Sequence, residues 1–397
     1  MAEGEENRRG RMSGAMPKHG KRYTGVEFVR DVDILVAHLS GYHRKVTSAA
    51  GDTNRDSNDS LRSHSVERFT GAEPLLNTIL SETASDVLQV YASRFHDHSG
   101  PSHARGWRKE GVGSSSLREI ADVAARFAVD LSLSGRDDLS RHLIESLSEA
   151  LESPDIPSVA GYYASLHAFR EGINPPESVG GSHESGSASD QHPVRPNALQ
   201  LAARYALFGN EPAAVVIMGR VGAGKSTIAE MFSEHVGWPV LSSDRIRKEL
   251  AGVELFGRGD SAQRARLYSA SMTERTYGAI REKAIDLLSE GSGVVIDATY
   301  SNAERRNTLC DSIQRRGFTH LFVELVAGKD QLKERLARRA ATSRPISDAR
   351  PDNFEALDAR YEPLRPPEDV PHLSIDTQGT PQQTLFRIIK QIVQMPR

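Results

Sequence analysis

A run of β-branched and apolar residues, Val215-Val216-Ile217-Met218, stops at Gly219, and six residues later Lys225 and Ser226 begin a helix-forming stretch. The pattern is G-x-x-x-x-G-K-S with a strand before it and a helix after it, the context a phosphate loop requires. Glycines without a Cβ let the backbone curl and aim successive N–H groups at one anion, to which the following helix adds its positive end. The loop from Gly219 through Arg220, Val221, Gly222, Ala223 and Gly224 to Lys225, Ser226 and Thr227 is therefore the expected triphosphate cradle. Lys225 supplies a full charge to the β- and γ-phosphates of ATP, and the Ser226 hydroxyl is suited to ligate Mg²⁺. A chain with this element folds, at least there, as an α/β layer structure.

Strands and helices alternate after residue 197. Strands are expected at Ala214–Met218, Val240–Ser243, Gly293–Thr299, Thr319–Val326 and Leu373–Asp376. Helices are expected at about Ala198–Phe208, Ser226–Val236, Asp244–Ala251, Thr273–Glu290, Ala303–Arg316, Asp330–Ala340 and Pro381–Gln394. Such alternation implies a parallel sheet of about five strands covered on both faces by right-handed crossovers, with ligands beyond the carboxyl ends of the strands. The preceding sequence reads as helical throughout. Apolar residues recur at helical spacing in Val26–Val46, Pro74–Phe95, Leu117–Leu133, Leu139–Leu151 and Val159–Arg170. The expected organisation is a disordered tail over 1–22, a smaller all-helical domain over 23–173, a Pro/Gly/Ser-rich linker over 174–197 and the α/β domain over 198–397.

The totals narrow the function. With 397 residues, the chain is long enough for two or three domains with separate cores. A net charge of -3 gives no general attraction to nucleic acid or an anionic membrane. The single cysteine, Cys310, excludes an intramolecular disulfide and a cysteine zinc cage. The polar first 22 residues lack the apolar core of a secretory signal, and no apolar run approaches membrane-spanning length. The expectation is a cytoplasmic protein with no membrane partner. A cluster of His96, Asp97, His98 and His103 has no orderly metal-ligand spacing and reads as an exposed polar loop.

Chemistry gathers at the predicted strand ends. The second strand leads into Asp244, a carboxylate able to take the proton of an attacking hydroxyl or, alternatively, to cap the helix that follows. Arg247, one turn on, is placed to hold the acceptor or the transferring phosphoryl group. The third strand ends in Asp297, a candidate Mg²⁺ contact, followed by Thr299. Asn302, Arg305 and Arg306 open the next helix, and their pattern fits either substrate contact or plain solvation. Arg335, Arg338 and Arg339 form the densest basic run, before a loop-like segment, Thr342–Asp352, that would let them move as a lid. Arg335 and Arg339 are the candidate catalytic pair, and Arg338 a further nucleotide contact.

These residues carry a resemblance. GRVGAGKST, SSDRIRKELAG, VVIDATYSNAERR, RLARRAA and Ser347-Asp348-Ala349 make the region from about Leu199 to Thr377 similar to small-molecule and polynucleotide P-loop kinases. It most resembles the ATP-binding kinase domain fused behind an aminoglycoside-phosphotransferase-like domain in bacterial proteins. The resemblance implies an ATP:acceptor phosphotransferase with Asp244 as base, Lys225 and Ser226 on phosphate and Mg²⁺, and Arg335 and Arg339 in the lid. In polynucleotide kinases the third-strand motif usually ends in Asn. Here Tyr300 follows Thr299, which favours a small hydroxyl-bearing acceptor over nucleic acid.

More faintly, IADVAARFAVDLSLSGRDDLS and GYYASLHAFREG are similar to the helical lobe of the phosphotransferase-like partner, and DVDILVAHLSGYHRK resembles an earlier helix of it. No His-Gly-Asp occurs in the chain and no ATP-binding β-lobe precedes Val26, so the resemblance implies a catalytically dead remnant. Two other functions stay in view: a 5′-hydroxyl kinase acting on nucleic acid, favoured if Arg305, Arg306, Arg315 and Arg316 line one face, and a nucleotide-dependent interaction module that phosphorylates nothing.

Overall fold

The computed structural model describes residues 114–173, 195–255, 261–341, 354–364 and 370–395. The expected tail, the helices Val26–Val46 and Pro74–Phe95, the histidine cluster, most of the linker, and the Thr342–Asp352 segment with Arg344 and Ser347 lie outside them. No described helix is long and apolar enough to cross a membrane. The chain divides into two compact units, and the division between described residues falls after Ala164, within a helix.

In the first unit α1 (Ser114–Leu133), α2 (Asp137–Ala150) and the start of α3 (Ile156–Ile173) pack together. They bury Ile120, Ala124, Leu131, Leu143, Leu147 and Ile156. The run of alanines along α1 (Ala121, Ala124, Ala128) leaves the neighbouring leucines little to clear, so the helices close on one another. These helices coincide with three of the five expected in the N-terminal half.

The second unit carries α4 (Pro196–Phe208), β1 (Ala213–Gly219), α5 (Lys225–Val236), β2 (Val240–Ser242), α6 (Ser243–Ala251), α7 (Ser261–Leu267) and α8 (Ala270–Ser289). It continues with β3 (Val294–Asp297), α9 (Ala303–Gln314), β4 (Thr319–Val326), α10 (Lys329–Ala341), α11 (Phe354–Asp358), β5 (His372–Asp376) and α12 (Pro381–Gln394). The five strands form one parallel sheet in the order β2-β3-β1-β4-β5. Every residue of β1 and β3 is buried, because helices cover both faces; this is why these strands read as unbroken apolar runs rather than alternating ones. The expected five-strand parallel sheet is the observed one. The short helices α7 and α11 were absent from the sequence reading. At seven and five residues they are too brief to show a helical period.

Local chemistry fixes several boundaries. α8 begins at Ala270, three residues earlier than its apolar period suggests, because the Ser269 side chain accepts from the Met272 amide. α12 starts on a capping box, with Thr380 and Gln383 exchanging side-chain and backbone hydrogen bonds.

The strand order places the site. β1 lies between β3 and β4, so the chain leaves β1 for one edge of the sheet and later returns to the other side. At such a reversal the loops after adjacent strands diverge and leave a crevice. Register puts Ile217, Asp297 and Ser242 level on β1, β3 and β2, with Gly219 opposite Leu325 of β4.

Candidate active site

The loop from β1 to α5 wraps the mouth of this crevice. Gly222 has φ 83°, and a Cβ there would meet the Leu332 carbonyl oxygen of α10 at 2.8 Å. Only glycine lets the loop lie directly on α10. Gly224, at φ 92°, is the N-cap of α5 and faces open space. Gly224 and the first residues of α5, Lys225 to Thr227, line the cleft, where an anion site at a helix N-terminus belongs.

Five of the expected residues converge here. The Ser226 hydroxyl donates to Asp297 Oδ2 at 2.7 Å, joining the phosphate loop to the end of β3. Lys225 Nζ donates to the Arg220 carbonyl at 3.0 Å. Desolvation holds the Lys225 ammonium below the ordinary lysine range; the carboxylates of Asp297 and Asp244 oppose this, while Arg339 adds to it. Burial pushes Asp297 above the ordinary carboxylate range, against the pull of Lys225 and of hydrogen bonds from Ser226 and Ser242. Asp244 lies in the first turn of α6, two residues inside the Ser242 N-cap, so it is not the cap. Its Oδ1 accepts a long bond, 3.4 Å, from the Tyr268 hydroxyl. Arg339 feels both Asp244 and Tyr268, so the far end of α10 reaches the same space.

A hydroxyl and a carboxylate side by side are the hard oxygen donors Mg²⁺ uses, and it commonly completes its shell with water and substrate phosphates. Among the described residues no group of three or more His, Cys, Asp or Glu could hold a metal alone. The donor set of Ser226 and Asp297 thus fits a cation brought in with a nucleotide.

The cleft has a volume of about 1780 Å³, above the roughly 300–1,000 Å³ of pockets for one small ligand. Besides the phosphate loop, its lining includes Asp244, Tyr268, Tyr277, Arg305, Arg335 and Arg339.

The remaining arginines have different surroundings. Arg247 is buried, with Nη1 donating to the Leu267 carbonyl at 3.2 Å and to Thr273 Oγ1 at 3.3 Å, and its guanidinium lies over the Tyr268 ring. It borders the cleft while tying α6 to α7 and α8. Arg335 donates to Thr377 Oγ1 and to the Thr377 carbonyl, which fastens α10 to the end of β5. Arg338 is exposed, 3.8 Å from Glu334.

Arg305 pairs with Glu274 at 2.6 Å and lies over Tyr277. Arg306 has no exposed surface and donates to the Tyr300 and Glu362 carbonyls, each at 2.9 Å. It is a core residue, neither a substrate contact nor a solvated one. The four arginines 305, 306, 315 and 316 do not share a face. Tyr300 is also core, at φ 42°, with its amide donating to the Tyr277 hydroxyl.

Sequence reasoning missed the surroundings of Arg220. Its Nε donates to Asp358 Oδ1 of α11, and its guanidinium lies 4.7 Å from the centre of the Tyr361 ring. Asp358 Oδ2 also takes Lys329 of α10 at 2.8 Å, and the Tyr361 hydroxyl donates to the buried Glu324 of β4 at 2.7 Å. Tyr268 and Tyr277 were missed as well. They stand nine residues apart, one just after α7 and one inside α8, too sparse a pattern to mark a site in the sequence.

Residues 215–364 match the AAA_33 family, described as an AAA domain. Over 244 residues, or 60% of the chain, the sequence is 28% identical to an uncharacterized protein of Mycobacterium tuberculosis, and the chain spans 46% of that relative's length. It is 26% identical over 140 residues to a shikimate kinase of Actinobacillus succinogenes, covering 34% of this chain and 71% of that one. Among solved structures, a gluconokinase from Sinorhizobium meliloti is 21% identical with a TM-score of 0.33, over 46% of this chain and 92% of that one. The Mycobacterium tuberculosis APS kinase CysC, in complex with AMPPNP and APS, is 17% identical with a TM-score of 0.35, over 47% and 99%. Sheet order, phosphate loop and the match over residues 215–364 agree on a P-loop α/β domain in the C-terminal part of the chain.

Proposed function

We propose that this domain transfers the γ-phosphoryl group of ATP to a hydroxyl of a small molecule. The observation that carries the reading is a carboxylate, Asp244, within electrostatic reach of both the phosphate-loop lysine and Arg339, in one cleft roomy enough for two ligands. A nucleotide with its phosphates on the α5 amides and Lys225 leaves Asp244 on the β2 side of the terminal phosphate. Asp244 takes the proton of the acceptor hydroxyl as its oxygen attacks phosphorus. The bond to the bridging oxygen breaks, and that electron pair leaves with ADP. Arg339 gathers charge from the equatorial oxygens. Ser226 and Asp297 would hold Mg²⁺, which when bound neutralises charge on the β- and γ-phosphates.

The nucleic-acid alternative loses its main support with Arg306 buried and Arg305 engaged by Glu274. The helical half has no assigned part in the chemistry, and we propose that it is a catalytically dead remnant of a phosphotransferase-like lobe.

The test is ADP release measured with and without a panel of hydroxyl compounds. Release that depends on one acceptor class supports the reading. Release indifferent to every acceptor but responsive to a protein partner replaces it with a nucleotide-gated interaction module. Asp244→Asn is expected to keep nucleotide-dependent thermal stabilisation and lose transfer, whereas Lys225→Ala loses the stabilisation itself. Undiminished transfer by the Asp244 variant rejects the base assignment.

A further inference from the structure

We infer that Asp358 is a positioning residue for the nucleotide site, acting through Arg220 to hold the phosphate loop and its lysine in the binding geometry. It rests on the nucleotide-binding half of the reading above and not on the identity of any acceptor.

Arg220 is the first variable residue of the phosphate loop, and both ends of it are engaged. Its side chain is held by Asp358, while its carbonyl accepts from Lys225 Nζ. A displacement of Arg220 therefore carries the lysine's anchor with it. Asp358 lies 138 residues further along the chain and is only 9% exposed. Its two oxygens are divided between Arg220 of the loop and Lys329 at the start of α10, the helix that bears Arg335, Arg338 and Arg339. The Lys329 and Arg220 cations together keep its carboxyl below the usual range, so it stays charged at neutral pH.

The Arg220 guanidinium is also pressed on the Tyr361 ring, whose hydroxyl is fixed to Glu324 on β4, the strand next to β1. The cation thus meets a carboxylate at its edge and an aromatic face below, an arrangement that fixes its orientation as well as its place. One acidic side chain consequently sets both the loop that cradles phosphates and the base of the arginine helix.

The experiment is a double-mutant cycle read by calorimetric titration of ADP into the full-length chain. Arg220→Gln and Asp358→Asn are each expected to weaken ADP about tenfold, within the range for coupled neighbours. The double variant is expected to be no weaker than the worse single, and Asp358→Glu to stay within about threefold of the wild type. Glu355→Gln breaks the exposed Lys333–Glu355 pair between the same two helices and is expected to leave ADP affinity unchanged.

Wild-type affinity in Asp358→Asn overturns the inference. So does a double variant whose loss is the product of the two single losses, or a Glu355 variant as weak as the Asp358 one. Should Asp358→Asn fail to fold, Arg220→Gln removes the same contact from the half-exposed partner, and undiminished affinity there overturns it equally. A wild type that obeys the cycle yet phosphorylates no acceptor leaves this inference standing and removes only the kinase reading.

Discussion

Replacing Gly222 by alanine separates the two demands that the phosphate loop makes on glycine. At φ 83° the new Cβ adopts a left-handed backbone, which costs about 1–2 kcal/mol. The same Cβ lies 2.8 Å from the Leu332 carbonyl and 3.2 Å from Leu332's neighbour one turn on, Leu336 Cγ. The carbonyl belongs to the backbone of α10 and cannot swing aside, so loop or helix must move; overpacking of this kind costs a further ~1–3 kcal/mol.

Gly224→Ala is the control. Its φ is 92° but nothing stands within 4 Å of the added atom, so it bears the backbone cost alone. Both substitutions reduce the freedom of the unfolded chain by a similar ~0.4–1 kcal/mol, which cancels when the variants are compared. The difference of about 1–3 kcal/mol corresponds to a melting point lower by roughly 2–12 °C in Gly222→Ala than in Gly224→Ala for a unit of this size. Differential scanning calorimetry without nucleotide measures it, taking the transition that ADP shifts in the wild type. Equal melting points for the two variants would refute the close approach of loop and helix.

Three further outcomes follow from particular residues. Burial pulls the His235 imidazole from 6.5 down to about 4. The unfolded chain therefore takes up the proton first, and stability is lost as pH falls from about 6.5 toward 4, by at most about 3 kcal/mol; His235→Gln should flatten that part of a denaturation-versus-pH curve. Arg306→Ala leaves the Tyr300 and Glu362 carbonyls without this donor and is expected to cost about 2–5 kcal/mol in urea denaturation; a surface-like loss under 0.5 kcal/mol would contradict its burial. Because burial raises Asp297 and only its ionised form ligates a cation, Mg²⁺-dependent ATP binding should fade with acidification at a higher pH than an exposed aspartate would dictate. Titrations across pH in the presence and absence of Mg²⁺ measure that midpoint.

Much of the second unit was legible because its determinants are local. Buried parallel strands are largely apolar, so β1 and β3 stand out, and a carboxylate ending an apolar strand marks Asp297. What eluded the sequence is which charges turn inward. Arg305 and Arg306 are adjacent and alike in the one-dimensional pattern, yet one faces the cleft and the other is wholly enclosed by backbone carbonyls. Arg335 read as a mobile lid residue, while its actual bonds run to Thr377, a partner no helical period could reveal. Asp358 gave even less warning. It is one acidic residue in a five-residue helix, and its meaning lies in a loop far upstream.

The fastening of Arg335 to Thr377 has a practical corollary for anyone cutting this polypeptide into fragments. Thr377 lies in the connection between β5 and α12, so this part of the chain holds Arg335 of α10 at the cleft. An expression boundary drawn at residue 364, where the family match stops, would sever that support and also strip β5 from the sheet edge. A usable fragment must run on through α12, however self-sufficient its signature motif looks.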